Sequence, residues 1–198
     1  MIKFTNISKE EPFQILYNKY LQASSKDQEL IQAICISSLS KSKNEVDSRY
    51  VNLKFIDGNE FIFFSNYLSP KAIQFKSNNR ISALFFWPSI NTQIRMKAKI
   101  KKTSNKFNQD YFSKRVVEKN ALAISSKQSK PIASFQNIQE NYNYILERND
   151  LKVCPKYWGG FSFTPYEIEF WEGNEFRLNK RNLYKKEKNK WKQYILEP

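Results

Sequence analysis

Short runs of alternating polar and apolar residues, separated by turns, restrict this chain to a fold built on antiparallel β-strands. The alternation predicts strands at residues 33–39, 49–56, 60–65, 81–87 and 92–102, and again at 162–171, 176–179 and 191–196. Asp57-Gly58, between the second and third runs, is a typical hairpin turn. Many short antiparallel strands of this kind argue for a β-barrel.

Helical periodicity appears between and around the strands. Phe13, Leu16 and Tyr20 predict a helix at residues 12–23, and further helical patterns cover residues 106–118, 121–126 and 134–147. A short helix is expected to begin at Pro70, with Ser69 as its N-cap. Helices packed outside a barrel give an α+β protein, and since no repeat or linker divides the chain we expect one domain over residues 1–198.

The composition excludes several classes of protein and site. Apolar residues make up 40% of the sequence, which excludes a disordered chain. No apolar run is long enough to span a membrane and the first residues lack a signal-peptide pattern, so we expect a cytoplasmic protein without a membrane partner. Because the chain has no histidine and only two distant cysteines, Cys35 and Cys154, no metal site is expected and a histidine-based triad is impossible.

The net charge of +14, from 33 basic and 19 acidic residues, attracts polyanions. One interpretation is a basic barrel that binds RNA or single-stranded DNA by stacking bases on aromatic side chains. The basic residues are spread along the chain, however, and do not form one stripe interleaved with aromatic residues. This distribution favours a solvated basic surface, and we expect no nucleic-acid partner.

Three local patterns place cations where they can bind phosphate. Arg49 and Lys54 lie near the two ends of one predicted strand, on opposite faces unless a bulge redirects one of them. Lys71 lies in the first turn of a helix, where a cation is disfavoured unless an anion neutralises it. Tyr111 and Arg115 are four residues apart on one helical face, where a phenol and a guanidinium can bind one phosphate.

The last third of the chain adds aromatic residues and two further cations. The motif WGGF at residues 158–161 leads into an extended run that ends at Trp171, and Arg177 and Arg181 follow a glycine-containing turn. A planar aromatic side chain beside two guanidinium groups is suited to a flat, phosphorylated ring. These patterns together predict a site for a small molecule.

Taken in order, the motifs resemble those of the pyridoxamine 5'-phosphate oxidase family of FMN-dependent enzymes. The resemblance extends from about Phe13 to the C-terminus. It rests on RYVNLK at 49–54, FFSN at 63–66, SPKAIQ at 69–74, FFW at 85–87, Gln93, YFSKR at 111–115, SKQS at 126–129, WGGF at 158–161, IEFWEGNEFRLNKR at 168–181 and WKQYILEP at 191–198.

The resemblance implies a dimeric, antiparallel split β-barrel of the α+β class, with peripheral helices and two FMN molecules held between the subunits. It implies oxidation of pyridoxamine or pyridoxine 5'-phosphate to pyridoxal 5'-phosphate in vitamin B6 metabolism, with dioxygen as acceptor and hydrogen peroxide as product. Arg177 and Asn179 fall at the catalytic positions beside the substrate ring. The FMN-binding positions correspond to Arg49, Tyr50, Val51, Asn52, Leu53, Lys54, Phe64, Ser65, Lys71, Gln93, Gln128, Ser129, Trp171 and Arg181. The substrate-binding positions correspond to Lys54, Tyr111, Arg115, Lys119, Arg177 and Asn179.

Three residues depart from the family pattern. Asn179 replaces a histidine that contacts the substrate, Lys119 replaces a serine at the substrate phosphate, and Pro70 replaces an arginine that often helps to hold the FMN phosphate. The first two favour an alternative function, that of a related flavoprotein that oxidises another planar substrate, as the phenazine-biosynthesis members do. A third alternative is a non-catalytic carrier that binds pyridoxal phosphate without flavin.

Overall fold

The computed structural model describes residues 1–148 and 150–198, which form nine strands, five α-helices and two short 3-10 turns. The strands are β1 (Lys3–Thr5), β2 (Ala33–Ser40), β3 (Glu45–Asp57), β4 (Glu60–Asn66), β5 (Arg80–Trp87), β6 (Thr92–Lys102), β7 (Trp158–Glu172), β8 (Lys180–Glu187) and β9 (Lys190–Ile195). The helices are α1 (Glu11–Ser24), α2 (Pro70–Ser77), α3 (Asn105–Phe112), α4 (Val117–Ser125) and α5 (Phe135–Arg148), and the 3-10 turns are Pro88–Ile90 and Glu175–Arg177.

Six of the strands close into an antiparallel barrel. β3 pairs with β2, β2 with β5, β5 with β6, β6 with β7 and β7 with β4, and β4 pairs again with β3. β8 and β9 form a hairpin that continues from β7 outside the ring, and β1 pairs in parallel with the end of β3. The prediction of an α+β split barrel is thereby confirmed.

The long strand β7 belongs to both the barrel and the hairpin. Its residues 158–163 pair with β4, whereas residues 167–172 pair with β8. β6 lies beside both parts of β7. The last residues of β6 and the first residues of β7 therefore complete the barrel, while the opposite ends of the same two strands support the C-terminal hairpin.

The strand β3 changes partners near its middle. Residues 45–52 pair with β2, and residues 53–57 pair with β4. At the change Lys54 is the extra residue of a β-bulge, because Leu53 pairs with Phe63 whereas Phe55 pairs with Ile62, the neighbour of Phe63. Since β4 does not extend along residues 45–52, this part of β3 borders an open cleft.

Aromatic side chains fill the barrel on the inner face of β4 and β7. Phe61, Phe63, Phe161 and Phe163 are each at most 2% exposed, and they form cross-strand pairs with ring centroids 5.0 and 5.7 Å apart. Burying one such ring contributes about 1.5–3 kcal/mol. Phe13 of α1 packs against the same core. The core thus fixes β4 against β7, whose adjacent residues form a wall of the cleft.

Two local predictions are wrong. The strand expected at residues 176–179 is a 3-10 turn, because Phe176 and Arg177 have φ values of 51° and 63°, and β8 begins only at Lys180. The helix expected at residues 106–118 is divided into α3 and α4, and Asn120 Nδ2 of the second helix donates to the carbonyl of Phe112, the last residue of the first. Neither β1 nor β8 was predicted.

The helix expected to begin at Pro70 is confirmed as α2, with Ser69 in the N-cap position. Its hydroxyl does not cap the helix, because it donates instead to the carbonyl of Asn66 at 2.7 Å. Throughout residues 1–148 and 150–198, the helices are too short or too polar to cross a membrane.

Candidate functional site

A cleft of about 1100 Å³ opens beside the part of β3 that β4 does not cover. Residues of β3 form one wall, and the end of β4, the start of α2, the α3–α4 junction and the start of β7 complete it. Among the residues that the structure describes, seven cationic side chains and one carboxylate, that of Asp47, line the cleft, so its field attracts anions. The cations are Lys43, Arg49, Lys54, Lys71, Lys114, Arg115 and Lys119.

Thirteen of the predicted site residues line this cleft. Arg49 and Lys54 share it because the β-bulge redirects Lys54, which strict alternation would place on the opposite face of β3. Leu53, which was also expected among the binding residues, does not line the cleft, because its side chain is fully buried in the core. The thirteen are Arg49, Tyr50, Val51, Asn52, Lys54, Phe64, Ser65, Lys71, Tyr111, Arg115, Lys119, Gln128 and Ser129.

Seven further residues line the cleft that were not among the predicted binding residues. Lys114 and Val116 flank Arg115, and Trp158 begins the WGGF motif, so neighbouring motifs could have indicated them. Lys43 lies in the turn before β3, where no local pattern distinguishes it from a solvated lysine. The full set is Lys43, Asp47, Ser48, Pro70, Lys114, Val116 and Trp158.

Lys71, in the first turn of α2, is a buried cation with 8% of its surface exposed. Its ammonium donates to Ser65 Oγ at 3.3 Å, and the Ser65 hydroxyl donates to Gln128 Oε1 at 3.3 Å. Burial lowers the pKa of Lys71, and the nearby Arg49 lowers it further. Within the described part of the chain no carboxylate forms an ion pair with Lys71, so this ammonium is suited to binding an anion.

Arg49 is held at the cleft wall by a polar network. Its Nη1 donates to Ser38 Oγ at 2.6 Å and to the carbonyl of Ile36 at 3.3 Å, and its Nη2 donates to Gln74 Oε1 at 3.2 Å. The Gln74 amide also donates to Asp47, whose carboxylate lies 3.7 Å from Arg49 Nη2. Burial lowers the pKa of Arg49, whereas Asp47 raises it. The guanidinium is therefore fixed in place before any ligand binds.

Lys54, Arg115 and Lys119 form a second cationic cluster in the cleft. Burial is the main cause that lowers the pKa of Lys54, and the positive charges of Lys119 and Arg115 lower it further. Over residues 1–148 and 150–198, none of the three side chains forms an ion pair with a carboxylate. Neighbouring like charges disfavour one another, so the cluster is suited to a dianion that relieves the repulsion.

Three aromatic rings are stacked beside the second cluster. The centroids of Phe64 and Tyr111 are 3.8 Å apart with an interplanar angle of 7°, and those of Phe64 and Trp158 are 5.1 Å apart at 10°. Arg115 lies over the face of Trp158, 4.6 Å from the ring centroid, in a cation–π geometry. Burial raises the pKa of the Tyr111 phenol, which therefore stays a neutral hydrogen-bond donor at physiological pH.

Close packing explains the two glycines of the WGGF motif. A Cβ on Gly159 would collide with the Asn108 side chain, and one on Gly160 would lie 2.5 Å from Thr103 Oγ1. Asn108 Oδ1 accepts from the Gly160 N–H at 2.8 Å, which ties α3 to β7. The motif thus brings Trp158 against α3, and the two elements form one wall of the cleft.

Gln93, Trp171 and Arg181 lie outside this cleft, together at the hairpin end of the sheet. They are direct cross-strand neighbours on β6, β7 and β8. Gln93 Oε1 accepts from Arg95 Nε at 3.2 Å, and Arg181 Nε donates to Glu169 Oε1 at 2.8 Å. The three predicted residues therefore form a row of their own, which we call the hairpin row.

Arg177 and Asn179 also lie outside the cleft, in the turn between β7 and β8. Arg177 and Phe176 are exposed and both have positive φ, a conformation that costs roughly 1–2 kcal/mol for a residue other than glycine. Asn179 Oδ1 accepts from the Asn174 N–H at 3.3 Å and so braces the turn. The turn holds Arg177 in a strained conformation that presents its side chain to solvent.

An apolar patch joins the cleft to the hairpin row on the outer face of the sheet. Tyr50 of β3 is 71% exposed and lines the cleft. It pairs directly with Cys35 of β2, and Cys35 in turn pairs directly with Leu84 of β5. Phe86, 51% exposed, follows on the same face of β5 and is opposite Gln93. Directly opposed residues of paired strands share a face, so the patch is continuous, and such patches mark protein interfaces.

Two family models together match most of the chain. The model described as "Pyridoxamine 5'-phosphate oxidase" matches residues 26–147, and the one described as "Pyridoxine 5'-phosphate oxidase C-terminal dimerisation region" matches residues 158–198. The second region contains the turn and two residues of the hairpin row, Trp171 and Arg181, and it supports a dimeric barrel.

Curated relatives with names similar to those of these family models resemble the chain in sequence. The chain is 35% identical over 168 residues to a pyridoxine/pyridoxamine 5'-phosphate oxidase of Legionella pneumophila (strain Lens), covering 84% of this chain and 78% of the relative. It is 32% identical over 193 residues to an enzyme of the same name from Colwellia psychrerythraea, covering 96% and 88%.

Two solved structures share the fold over nearly the whole chain. PhzG from Burkholderia lata 383, in complex with tetrahydrophenazine-1-carboxylic acid, has a TM-score of 0.88 at 22% identity, with 96% of this chain and 93% of that chain covered. A pyridoxamine 5'-phosphate oxidase-related, FMN-binding protein from Nostoc punctiforme PCC 73102 has a TM-score of 0.77 at 12% identity, with 96% and 99% covered.

Proposed function

The chain belongs to the pyridoxine/pyridoxamine 5'-phosphate oxidase family, and from this premise we propose that it oxidises pyridoxamine or pyridoxine 5'-phosphate to pyridoxal 5'-phosphate. FMN is the cofactor, and when bound it supplies the hydride acceptor for this oxidation, with dioxygen as final acceptor and hydrogen peroxide as product. The observation that carries the proposal is one cleft with two separate cationic groups, since a cofactor and a substrate that are both phosphate esters require two anion sites.

The group around Lys71 fits the phosphate and the ribityl chain of FMN. Lys71 and Arg49 bring two cations together, and the two positive charges are not balanced by the single nearby carboxylate of Asp47. Ser65, Gln128 and Ser129 add hydroxyl and amide groups, which suit phosphate oxygens and a neutral polyol. We assign these residues to the FMN tail, together with the exposed edge of β3 at Tyr50, Val51 and Asn52.

The second cluster is the proposed site of the substrate phosphate. Lys54, Arg115 and Lys119 supply the charge for an ester near −2, and the planar guanidinium offers bidentate geometry to two phosphate oxygens. The neutral Tyr111 phenol donates a further hydrogen bond. Phe64 lies against Tyr111 and keeps the phenol ring in one orientation. Held at its phosphate, the substrate has its ring directed along the cleft.

We assign the remaining predicted residues to the cleft of a second subunit. Gln93, Trp171 and Arg181 would border the flavin ring, and Arg177 and Asn179 would contact the substrate beside its reacting carbon. Arg177 would donate to the substrate oxygen or nitrogen and stabilise the charge that develops there. Asn179 donates or accepts without carrying charge, unlike the histidine of the family pattern. Association through the apolar patch from Tyr50 to Phe86 would bring these residues against the partner's cleft.

One substitution favours a second candidate, oxidation of another planar substrate. Asn179 stands where the family pattern has histidine, so the contact to the substrate ring differs in kind. The cluster of Lys54, Arg115 and Lys119 supports the phosphate ester instead. Three cations exceed what the single negative charge of a carboxylate substrate needs.

The test is the visible spectrum of the FMN-loaded protein during anaerobic addition of pyridoxamine 5'-phosphate and, separately, pyridoxine 5'-phosphate. Bleaching of the flavin absorbance by either compound with formation of an equivalent amount of the aldehyde, and return of the absorbance when air is admitted, would support the proposed reaction. Tetrahydrophenazine-1-carboxylic acid serves as the comparison substrate. Bleaching by that compound alone would replace the proposed function with the second candidate, and a protein that retains no flavin would exclude both.

A further inference from the structure

Asn120 is a fully buried side chain that contacts a cation of the cleft, although it does not line the cleft itself. Its Oδ1 accepts a hydrogen bond from Arg115 Nη1 at 3.1 Å. Its Nδ2 donates to the carbonyl of Phe112 at 2.9 Å and to the carbonyl of Leu151 at 2.7 Å. Both hydrogens of the amide nitrogen are therefore donated, each to a main-chain carbonyl of a different segment.

These two carbonyls determine which way the amide faces. A carbonyl accepts from Nδ2 but cannot donate to Oδ1, so the reversed orientation would bring three oxygen acceptors together without a proton between them. The Oδ1 of Asn120 is thereby directed at Arg115. Since Phe112 ends α3 and Leu151 precedes β7, the direction is set by the fold and not by other mobile side chains.

Arg115 is consequently held on two sides. The face of its guanidinium lies over Trp158, and one N–H of its edge is taken by Asn120. A guanidinium has five N–H donors in one plane, so most remain free to bind an anion. An amide orients this group without neutralising it, whereas a carboxylate in the same place would compete with the anion.

We propose that Asn120 is a positioning residue, which orients the Arg115 guanidinium for the substrate phosphate; this inference rests on the proposed function. Without the amide, Arg115 keeps its charge and its contact with Trp158 but can rotate in the plane of the ring. Anion affinity then falls because the bidentate geometry must be selected at the moment of binding.

The test is a double-mutant cycle on the FMN-loaded protein, with pyridoxal 5'-phosphate as the probe and calorimetry as the measurement. Asn120→Ala is expected to weaken probe binding about tenfold when Arg115 is present, but less than about twofold when combined with Arg115→Ala. Flavin content is expected to stay unchanged in all variants, because Lys71 and its neighbours are untouched. Ser162→Ala is the control: it removes another buried polar side chain, which donates to Glu60 and does not line the cleft, and it should lower the unfolding temperature without weakening binding of the probe.

The outcomes separate this inference from the proposed function. An equal loss in both Arg115 backgrounds, or an equal loss in the Ser162 control, would show a merely structural role and overturn the positioning role. Unaltered binding in Asn120→Ala beside a large loss in Arg115→Ala would also overturn it, while leaving the proposed function intact. Unaltered binding in Arg115→Ala would overturn the substrate-phosphate assignment itself, and with it this inference.

A second variant applies where Asn120→Ala does not fold. Asn120→Gln keeps the amide but moves it by one methylene, so we expect a loss of several-fold that disappears in the Arg115→Ala background. Persistence of that loss without Arg115 would overturn the proposal.

Discussion

At the scale of single residues, the two arginines of the cleft are expected to act on different ligands. Arg49→Ala should lower the affinity for FMN, and Arg115→Ala should raise the Michaelis constant for the phosphate ester while FMN stays bound. Loss of one charge-assisted phosphate contact costs about 1.5–3 kcal/mol in each case. Flavin content after gel filtration and steady-state kinetics measure the two effects. Arg80→Ala, an exposed arginine outside the cleft, is the control, and equal flavin loss in both cleft variants would contradict the assignment.

The lowered pKa of Lys54 predicts how phosphate-ester binding depends on pH. Burial and the charges of Lys119 and Arg115 lower this pKa, so the Lys54 ammonium loses its proton at a lower pH than an ordinary lysine does. Binding needs the charged form and therefore weakens as the pH rises through the lowered pKa. On the acid side it weakens as the ester takes up its second proton, near pH 6.

Lys119→Gln should move the alkaline loss of binding to higher pH. The substitution removes one of the two charges that lower the pKa of Lys54, although it also reduces affinity at neutral pH by a few-fold because one cation is lost. Titrations with pyridoxal 5'-phosphate over a range of pH values measure the shift. Lys114→Gln is the matched control, since Lys114 lines the same cleft without affecting the pKa of Lys54. If binding of the Lys119→Gln variant is lost at the same alkaline pH as binding of the wild type, a group other than Lys54 titrates there.

At the scale of secondary-structure elements, the contact between β7 and α3 is expected to hold the cleft together. A methyl group on Gly159 meets the Asn108 side chain, so Gly159→Ala should cost about 1–3 kcal/mol of unfolding free energy through overpacking. Separation of β7 from α3 should also reduce flavin retention, because Trp158 and the α3 residues line the cleft.

Gly58→Ala separates backbone strain from damage to the cleft. Gly58 has a φ of +59° in the β3–β4 turn, and an added methyl there would meet only one oxygen, at 3.7 Å. We expect a comparable loss of stability, roughly 1–2 kcal/mol, with flavin retention unchanged. Thermal unfolding and the ratio of flavin to protein absorbance distinguish the two variants. Full flavin retention in Gly159→Ala would show that the cleft does not depend on this contact.

The elements that could be predicted are those whose signal is local. Periods of two and 3.6 residues identified six barrel strands and most helices, and Pro70 marked the start of α2. The turn at 174–179 could not be predicted, because Phe176-Arg177-Leu178-Asn179 alternates like a strand. Its left-handed residues are not glycines, and they are held by a contact between Asn179 and Asn174.

The site was predictable to the extent that its residues lie in ordered motifs. Thirteen residues of these motifs line the cleft, yet the β-bulge at Lys54 has no glycine or proline from which it could be predicted. The distance between the cleft and the hairpin row was also beyond prediction. It follows from the register of β2, β5 and β6, which depends on contacts between residues far apart in the chain.

At the scale of the whole molecule, the separation of Arg115 from Arg177 predicts that each site is shared by two subunits. One chain with Arg115→Ala and one with Arg177→Ala should each have little activity as homodimers. In a heterodimer of the two, one site carries both substitutions and the other carries neither. Random reassociation of an equal mixture should therefore restore about a quarter of the wild-type activity, because half of the dimers are mixed and half of their sites are intact.

Mixing after partial denaturation, followed by oxidase assays, measures this complementation. An equal mixture of wild type and the chain with both substitutions gives the reference: each site of its mixed dimer carries one substitution, so only the quarter of dimers that are wild type is active and about a quarter of the activity remains. Tagged subunits show whether the mixtures contain mixed dimers. If mixed dimers are present and no activity is recovered, Arg115 and Arg177 do not act together in one shared site. Recovery above the reference would indicate that subunits influence each other.

The change of partner in β3 has one more consequence, which concerns the size of the molecules that the cleft accepts. Arg49 and Lys54 are anchored in one continuous strand, five residues apart, so roughly 16 Å of rigid peptide separates their backbones. If Arg49 and Lys54 hold the two phosphates as proposed, this backbone distance sets the main part of the spacing between them, and the lengths of the two side chains set the rest. A deletion or insertion within residues 50–53 would change the molecular length that fits, and natural variation in ligand size should therefore appear there as gaps instead of substitutions.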